Sequence, residues 1–454
     1  MPWFIPRRRT VLPATAGLVL AWGLASTASA QSVINFGTGD SISLDQMRVV
    51  AAFESPTGVV RPSPGTGYTM IADTGATGIL IGARGHLDFN TAASFTYDSD
   101  AEYLEQGVAG FEAVDLTVPY DVTVSGLAGL FGGGDPPGSV NAFVLEDQRM
   151  LAAPDLELGS FAGIIGMPGM EDRVVVVDIG NMTPDQSGES FDVIAAGFDT
   201  ALPAAPGTGA THTFNFDRLS FDPAAGSVNP GDPLPASADL PTLRVGTGRG
   251  ATDLNGDFLF DTGAQLSMIS GATAEGLGLN IDLDDPANDV LDFLPVGGVG
   301  GQTEIPIVSI DRLSLTSNEG NELVFENLAV GVLDIEGLPV DGILGFNPFT
   351  TGYLDPVLAA ISDPTSAEAM KDGAFVEMAL DFTDDQQWMM RLTQNPDFLS
   401  GDNVEIVDEQ FFALDNQALF AWPAFEVPEP GTAALVAAGL LGVVGSPRRR
   451  RRSG

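Results

Sequence analysis

The sequence predicts a mainly β protein made of two facing lobes, and three observations support this fold class. The tetrapeptide Asp-Thr-Gly-Ala occurs twice, beginning at Asp73 and again 188 residues later at Asp261, and each copy ends an apolar run. The chain contains 55 Gly and 31 Pro but few long helical periodicities, which favours short strands and turns. The same order of unlike elements also follows both tetrapeptides, as an internal repeat would require.

Composition excludes several classes of function. The 19 basic and 61 acidic residues give a net charge of −42, which repels nucleic acid and is typical of solubility or salt adaptation. Cysteine is absent, so disulfides, thiol catalysis and cysteine metal sites are excluded. His86 and His212 are the only histidines, which argues against a histidine triad or a zinc site. We therefore expect no cofactor, no metal and no nucleic-acid partner.

Residues 1–30 have the order of an export signal. Arginines at 7–9 precede an apolar run at 11–24, and Ala28-Ser29-Ala30 forms a small-residue cleavage site for a signal peptidase. The arginines followed by Thr10 are compatible with the twin-arginine route, and an ordinary secretion signal fits equally well.

The C-terminal residues 427–454 contain Val-Pro-Glu-Pro, an apolar run at 431–445 and five arginines at 448–452. This order resembles the PEP-CTERM sorting signal of bacterial surface proteins. The resemblance implies processing by an exosortase after transient membrane insertion, with the arginines on the cytoplasmic side. A plain membrane anchor is the alternative. Either signal predicts a body at the cell surface or outside the cell.

Each half of the chain repeats a set of elements around its tetrapeptide. Strands are expected at 32–36, 47–53 and 69–72 in the first half, and at 243–245 and 258–260 in the second. A short helix is expected at 270–279. Each half also contains a Gly-Ile-apolar-Gly sequence, which ends at Gly166, 93 residues after Asp73, and at Gly345, 84 residues after Asp261.

A glycine-rich stretch lies between these two motifs in each half. In the second half it is Gly297, Gly298, Val299, Gly300 and Gly301, which begins 36 residues after Asp261. In the first half it is 107–110, which begins 34 residues after Asp73. Glycines would let a hairpin tip bend over a substrate backbone, so both are candidate flaps. Ordinary flexible turns are the alternative.

Composition shifts suggest the domain boundaries. Residues 201–210 and 222–240 are rich in Pro, Gly and Ala, as linkers are. We expect a signal peptide at 1–30, a first lobe at 31–205, an interlobe linker at 206–240, a second lobe at 241–400, a lobe end or stalk at 401–426 and a sorting signal at 427–454. A hairpin at 375–392 is expected to complete the second lobe.

The paired carboxylates carry the expected chemistry. Two carboxylates a few ångströms apart cannot both ionise cheaply, so Asp73 and Asp261 would share one proton. The ionised member could deprotonate a water held between them, while the protonated member polarises a peptide carbonyl. The sequence does not say which aspartate is the acid. Thr74 and Thr262 would tie the two loops together.

Glycine follows each of these threonines. Gly75 and Gly263 would allow tight turns and direct backbone N–H groups at the carboxylates.

Together, the two Asp-Thr-Gly-Ala sequences and their Gly-Ile-apolar-Gly partners resemble aspartic proteases of the pepsin and retropepsin type. The resemblance covers about residues 45–350. It implies two β-barrel-like lobes that each supply one catalytic aspartate, Asp73 and Asp261, to a cleft that binds a polypeptide and needs no metal. Because both lobes are in one chain, we expect a monomer.

The first lobe departs from the family pattern at Ala72, Gly78 and Met167-Pro168, so we expect it to be the less regular half, with Gly78 loosening its strand. Tyr97 and Tyr103 are the candidates for a flap tyrosine. Asp253-Leu254-Asn255-Gly256-Asp257 is interpreted either as half of a calcium loop or, preferably, as an Asn-Gly hairpin turn. The alternative function is a surface or matrix protein that keeps the fold as a binding or structural module without catalysis.

Overall fold

The chain is described by a computed structural model. It describes residues 33–38, 47–61, 67–90, 97–107, 110–126, 142–156, 158, 161–179, 195–229, 234–298, 301–334, 338–349 and 374–396. The export signal and the sorting signal predicted above lie outside these residues. No helix in these ranges is both long enough and apolar enough to cross a membrane.

Strands dominate the described residues. The first twelve are β1 (Val33–Thr38), β2 (Arg48–Glu54), β3 (Val60–Arg61), β4 (Tyr68–Ala72), β5 (Ile79–Ile81), β6 (Tyr97–Gly107), β7 (Gly110–Thr117), β8 (Tyr120–Gly126), β9 (Phe143–Gln148), β10 (Leu151–Ala152), β11 (Gly163–Ile165) and β12 (Val174–Asp178). The others are β13 (Ala195–Asp199), β14 (Thr211–Asn215), β15 (Asp217–Ser220), β16 (Asp239–Arg249), β17 (Thr252–Phe260), β18 (Met268–Ile269), β19 (Asp292–Gly298), β20 (Gly301–Thr316), β21 (Glu322–Val332), β22 (Gly342–Leu344), β23 (Phe375–Asp381) and β24 (Met389–Gln394). The helices are α1 (Ala83–Asn90) and α2 (Gly271–Gly276).

These strands form two sheets, which confirms the prediction of a mainly β protein with two lobes. Lobe one is the larger sheet, in which β14, β24, β23, β12, β13, β2, β4, β11, β5, β10, β7 and β6 lie in that order and β3, β8 and β9 are attached at its side. Lobe two is the smaller sheet, ordered β1, β21, β18, β22, β17, β16, β20 and β19, with β15 beside β16. Each sheet contains one Asp-Thr-Gly-Ala strand, β4 in lobe one and β17 in lobe two.

Burial follows from where each strand lies in its sheet. In β8 the side chains alternate, with Tyr120, Val122 and Val124 buried, so only one face packs on the core. At the end of β17 three consecutive residues, Phe258, Leu259 and Phe260, are all buried, because this part of the strand is covered on both faces. The apolar runs that precede both tetrapeptides are therefore interior strands.

A unit of three short strands recurs in both lobes. In lobe one, β11 pairs parallel with β4 and antiparallel with β5, so the Gly-Ile-Ile-Gly strand lies between the strand that enters the tetrapeptide and the strand that leaves it. In lobe two, β22 lies between β17 and β18 in the same way. The repeated order seen in the sequence therefore corresponds to a repeated topology.

The glycines of these inserted strands are required by close backbone approach. A Cβ added to Gly163 would lie 2.0 Å from the carbonyl oxygen of Leu80, and one added to Gly342 would lie 2.3 Å from that of Met268. Neither contact can be relieved by moving a flexible side chain. Only glycine lets the neighbouring strands meet, so the Gly-apolar-apolar-Gly pattern has a steric cause.

The expected division of the chain differs from the observed pairing at several strands. The hairpin β23–β24 was expected to complete the second lobe, but β23 pairs with β12 and β24 pairs with β14, so both strands extend lobe one. The N-terminal strand β1 pairs with β21 in lobe two. The expected linker at 206–240 contains β14 of lobe one and β15 of lobe two. Segments therefore cross between the sheets several times, because strand partners are chosen by packing and not by chain order.

The two lobes share one hydrophobic core. Phe216 follows β14, Phe260 ends β17 and Phe382 follows β23, and their rings are in contact, with centroids 5.3 Å apart for Phe216 and Phe260 and 6.0 Å for Phe216 and Phe382. All three side chains are buried. Phe260 immediately precedes Asp261, so this shared core supports the second tetrapeptide loop directly.

The interpretation of residues 253–257 needs correction. In the structure Asn255-Gly256 lies inside β17, opposite Val245 and Gly246 of β16, and the hairpin turns at Gly250, whose φ is +57°. Both the Asn-Gly turn and the calcium half-loop are therefore wrong, since these residues are extended. Glycine with a positive φ marks the real turn.

A buried ion pair in the strands added to lobe one gives a stability prediction. The side chains of Arg391 on β24 and Glu377 on β23 are 8% and 10% exposed, their atoms Nη2 and Oε1 are 2.5 Å apart, and Arg391 also donates to the carbonyl oxygen of Pro203. Replacing Glu377 by Ala would leave the guanidinium buried without its carboxylate. We expect the free energy of unfolding, measured by urea titration, to fall by about 3 kcal/mol. Glu377→Gln should lose less stability than Glu377→Ala. Equal free energies of unfolding for Glu377→Ala and the wild type would contradict this prediction.

Candidate active site

The two tetrapeptide loops lie side by side where the lobes meet. Asp73 directly follows β4, and its N–H donates to the carbonyl oxygen of Ile165 on β11 at 3.0 Å. Asp261 directly follows β17, and its N–H donates to the carbonyl oxygen of Leu344 on β22 at 3.1 Å. Each loop is therefore fixed by the inserted strand of its own lobe.

Four hydrogen bonds join the loops across the lobe boundary. The hydroxyl of Thr74 donates to the carbonyl oxygen of Phe260 at 2.6 Å and accepts the N–H of Thr262 at 3.1 Å. The hydroxyl of Thr262 donates to the carbonyl oxygen of Ala72 at 2.7 Å and accepts the N–H of Thr74 at 3.0 Å. Both threonines are fully buried, so no water competes for these bonds. The structure thus brings Thr74 and Thr262 together in the arrangement expected from the sequence.

The two glycines lie between the carboxylates. The N–H of Gly75 donates to Asp73 Oδ1 and the N–H of Gly263 donates to Asp261 Oδ1, both at 2.8 Å. A Cβ added to Gly75 would lie 2.6 Å from Cγ of Asp261, and one added to Gly263 would lie 2.5 Å from Cγ of Asp73. Any side chain at either position would therefore push the opposite carboxylate away.

The carboxyl groups of Asp73 and Asp261 are in contact and hydrogen-bonded to each other. Burial raises the pKa of Asp73 well above its ordinary value of 3.8, and the charge of Asp261 and the hydrogen bond with it raise that pKa further. Burial also raises the pKa of Asp261, while the hydrogen bond from Asp73 and the N–H groups of Gly263 and Ala264 oppose that rise.

These electrostatics favour one shared proton. Two negative charges in contact at a partly buried site would repel strongly, so the singly protonated pair is the stable form above the ordinary range of an aspartate. The proton belongs to the pair and not to either aspartate alone. The ionised member is able to accept a proton while the protonated member donates one.

Lobe two supports its loop with a polar network that the sequence reasoning missed. The hydroxyl of Ser267 bonds to Oδ1 of Asn347 at 2.7 Å and accepts the N–H of Gly345, and Nδ2 of Asn347 donates to the carbonyl oxygen of Ala329. Both side chains are fully buried. The signal was present in the sequence, because Asn347 is a polar residue two positions after the second Gly-apolar-apolar-Gly.

Lobe one has apolar residues at the equivalent positions. Ile79, like Ser267, is the sixth residue after its aspartate, and Pro168, like Asn347, is the second residue after its Gly-apolar-apolar-Gly. Ile79 is buried in the core. Packing therefore replaces the hydrogen-bond network in the lobe that was expected to be less regular.

Gly78 does not loosen its strand. It forms an isolated antiparallel bridge with Ala236, and its carbonyl oxygen accepts the N–H of Gly166 at 3.0 Å. A Cβ at Gly78 would lie 3.0 Å from the carbonyl oxygen of Pro235. Glycine is present here because another segment of the chain lies against it.

Both candidate flaps are hairpins. In lobe two Gly298 pairs with Gly301 at the end of β19–β20, and in lobe one Gly107 pairs with Gly110 at the end of β6–β7. Val299 and Gly300, at the tip of the lobe-two hairpin, lie outside the described residues. Tyr97 and Tyr103 are both on β6, and the side chain of Tyr103 is described.

Within the described ranges, no group of three His, Asp or Glu side chains is arranged to hold a metal ion. Asp253, from the interpretation as a calcium loop, lies beside the guanidinium of Arg312 at 3.6 Å.

Replacing Thr262 by Val tests how strongly the loops are joined. The change keeps the shape of the side chain but removes two hydrogen bonds, leaving the buried N–H of Thr74 and carbonyl of Ala72 without these partners. We expect the free energy of unfolding to fall by about 2 to 4 kcal/mol in a urea titration. Thr262→Ser keeps the hydroxyl and should lose much less. A valine variant as stable as the serine variant would contradict the proposed role of these bonds.

The comparison with protein families agrees with the type of site. The family model for aspartyl proteases matches residues 248–347, which contain Asp261 and the second Gly-apolar-apolar-Gly. The crystal structure of aspartic proteinase from Irpex lacteus is similar at 12% identity, covering 77% of this chain and 94% of that one with a TM-score of 0.37, a level that carries no inference about function. No curated protein matches the chain. The matched residues support an aspartic protease type for this protein.

Proposed function

We propose that this chain is an aspartic endopeptidase that hydrolyses peptide bonds with Asp73 and Asp261. The observation that supports this most directly is the pair of contacting, partly buried carboxyl groups, held together by the four hydrogen bonds of the buried Thr74 and Thr262. A pair of structural turns would have no need to bring two carboxylates into contact, because that contact costs free energy.

The proposed reaction uses the two carboxyl groups in different roles. The ionised carboxyl group takes a proton from a water molecule bound between Asp73 and Asp261, and the resulting hydroxide attacks the peptide carbonyl. The protonated carboxyl group donates a hydrogen bond to the carbonyl oxygen and so stabilises the charge that develops there. The proton gained from the water then passes to the leaving nitrogen as the C–N bond breaks.

The hairpins β6–β7 and β19–β20 would cover the bound polypeptide. Gly297, Gly298, Val299, Gly300 and Gly301 are proposed as the flap of lobe two, where the absence of large side chains allows close approach to a substrate backbone. We further propose that the protein is exported, sorted to the cell surface or matrix with processing by an exosortase, and monomeric.

Loss of activity in Asp261→Asn tests this function. The substitution keeps the shape of the side chain but removes one of the two ionisable carboxyl groups, so the pair can no longer supply both an acid and a base. We expect cleavage of an unfolded protein substrate to fall at least about a thousandfold, and the wild-type activity to be inhibited by pepstatin. The assay is run on the full chain over roughly pH 3 to 7, the range in which carboxylate pairs titrate.

Asp257→Asn is the matched control. Asp257 lies on β17, four residues before Asp261, and its exposed carboxylate contacts Arg244 at the surface. The peptidase activity of Asp257→Asn should equal that of the wild type. Undiminished cleavage in Asp261→Asn would refute the proposed mechanism, and a wild-type protein that cleaves nothing would instead favour the non-catalytic binding or structural module.

A further inference from the structure

The loop between β15 and β16 reaches from lobe two to the candidate flap of lobe one. Both flanking strands belong to lobe two, where Asp217–Ser220 pairs with the start of β16. The described part of this loop, 221–229 and 234–238, contains the 3₁₀ turn Pro223–Gly226. The side chain of Asp222 caps that turn by accepting the N–H of Ala224 at 3.0 Å, which fixes the direction of the carbonyl of Pro223.

Tyr103 of β6 is fastened to this turn. Its hydroxyl donates to the carbonyl oxygen of Pro223 at 2.9 Å. Its ring lies against Gly226, where an added Cβ would be 2.5 Å from Cζ of the ring. Two backbone contacts accompany the side chain, since Tyr103 forms a bridge with Ser227 and the N–H of Val228 donates to the carbonyl oxygen of Glu102 at 3.2 Å. The hairpin is thus held by side chain and backbone together.

The same tyrosine also anchors the hairpin to its own lobe. It is 5% exposed and packs with Leu80, Leu116 and Leu151. Burial, followed by the charges of Glu105 and Asp222, raises the pKa of Tyr103 to about 12. The hydroxyl therefore stays protonated, and able to donate, over the whole range in which a carboxylate pair could work.

The returning part of the loop contacts the site itself. The N–H of Ser237 donates to the carbonyl oxygen of Thr77 at 2.7 Å, and Ala236 forms a bridge with Gly78. These residues follow the first tetrapeptide directly. One loop of lobe two therefore touches both the hairpin and the Asp73 loop of lobe one.

The hairpin of lobe two differs at the equivalent position. In lobe one, Tyr103 lies four residues before Gly107, the last paired glycine of β6. In lobe two, Leu294 lies four residues before Gly298, the last paired glycine of β19. Leucine has no hydroxyl to donate. Among the described strands, β19 pairs with β20 alone and forms the edge of its sheet. The attachment is thus a property of lobe one.

We propose that Tyr103 is a positioning residue that fastens the β6–β7 hairpin to the β15–β16 loop and makes this hairpin a fixed wall of the cleft. This rests on the proposed peptidase function, because a wall matters only if a polypeptide binds beneath it. A fixed wall is organised before substrate arrives, so binding does not have to include the cost of ordering it. Tyr103 does not act on the reacting atoms.

Tyr103→Phe tests the attachment in the full chain, because it removes one hydroxyl and keeps the ring. Hydrogen–deuterium exchange is measured on peptides covering 97–107 and 110–117. We expect exchange to become about two- to tenfold faster, the factor that corresponds to one net hydrogen bond. Gly226→Ala, which displaces the ring, should have the same effect. Leu104→Ala is the control, since Leu104 is the next residue but is 41% exposed and should leave exchange unchanged.

Kinetics distinguish positioning from a merely structural role. With a peptide substrate, Tyr103→Phe should raise KM about two- to tenfold and leave kcat within about twofold, because the lost organisation affects ground state and transition state alike. Unchanged exchange in Tyr103→Phe would overturn the proposal, as would faster exchange with KM unchanged in an active enzyme. The exchange measurement needs no catalysis, so a protein without peptidase activity would refute the proposed function and still reveal whether the attachment exists.

Discussion

The contact between two carboxyl groups is the constraint on which the rest of the structure depends. Asp73 and Asp261 repel each other when both are ionised, and their partial burial weakens the screening of that repulsion by water. Four hydrogen bonds between the buried Thr74 and Thr262 loops resist that repulsion. The repulsion therefore favours the form in which the two carboxyl groups share one proton. The chemical asymmetry that acid and base roles would need can thus arise between two nearly identical loops.

The architecture of each lobe delivers its loop to this contact. A short strand lies between the strand that enters the tetrapeptide and the strand that leaves it, and glycines at Gly163 and Gly342 permit the close approach. The crossing strands and the shared phenylalanine core then fix one lobe against the other. Lobe two adds the Ser267–Asn347 network. Lobe one instead relies on packing around Ile79 and on contacts with the β15–β16 loop, which belongs to lobe two. The two halves reach similar geometry by different interactions.

Local patterns predicted the features that depend on local chemistry. The tetrapeptides, the Gly-apolar-apolar-Gly strands, the hairpins and the short helix α2 could all be found from the sequence, because turns and interior strands have characteristic residues. The pairing between distant segments could not be predicted from such patterns. The strands β23 and β24 are buried over most of their length, as an inner strand of either lobe would be, and nothing in residues 375–394 specifies β12 and β14 as partners. The turn predicted at Asn255-Gly256 was wrong for a related reason, since a turn sequence within a long paired strand adopts the conformation of the sheet. The partner of Tyr103 is a backbone carbonyl, which carries no sequence signal at all.

The central claim is that the two aspartates share one proton, and carbon-13 NMR of the aspartate carboxyl groups tests it most directly. Resonances are assigned with Asp73→Asn and Asp261→Asn, and the pH is raised through and beyond about 3.9, where an isolated aspartate ionises. We expect the pair to titrate in two separate steps and to keep one proton well above that pH, because burial and mutual repulsion disfavour the second ionisation. Two carboxyl groups that both lose their protons near the ordinary value would contradict the account.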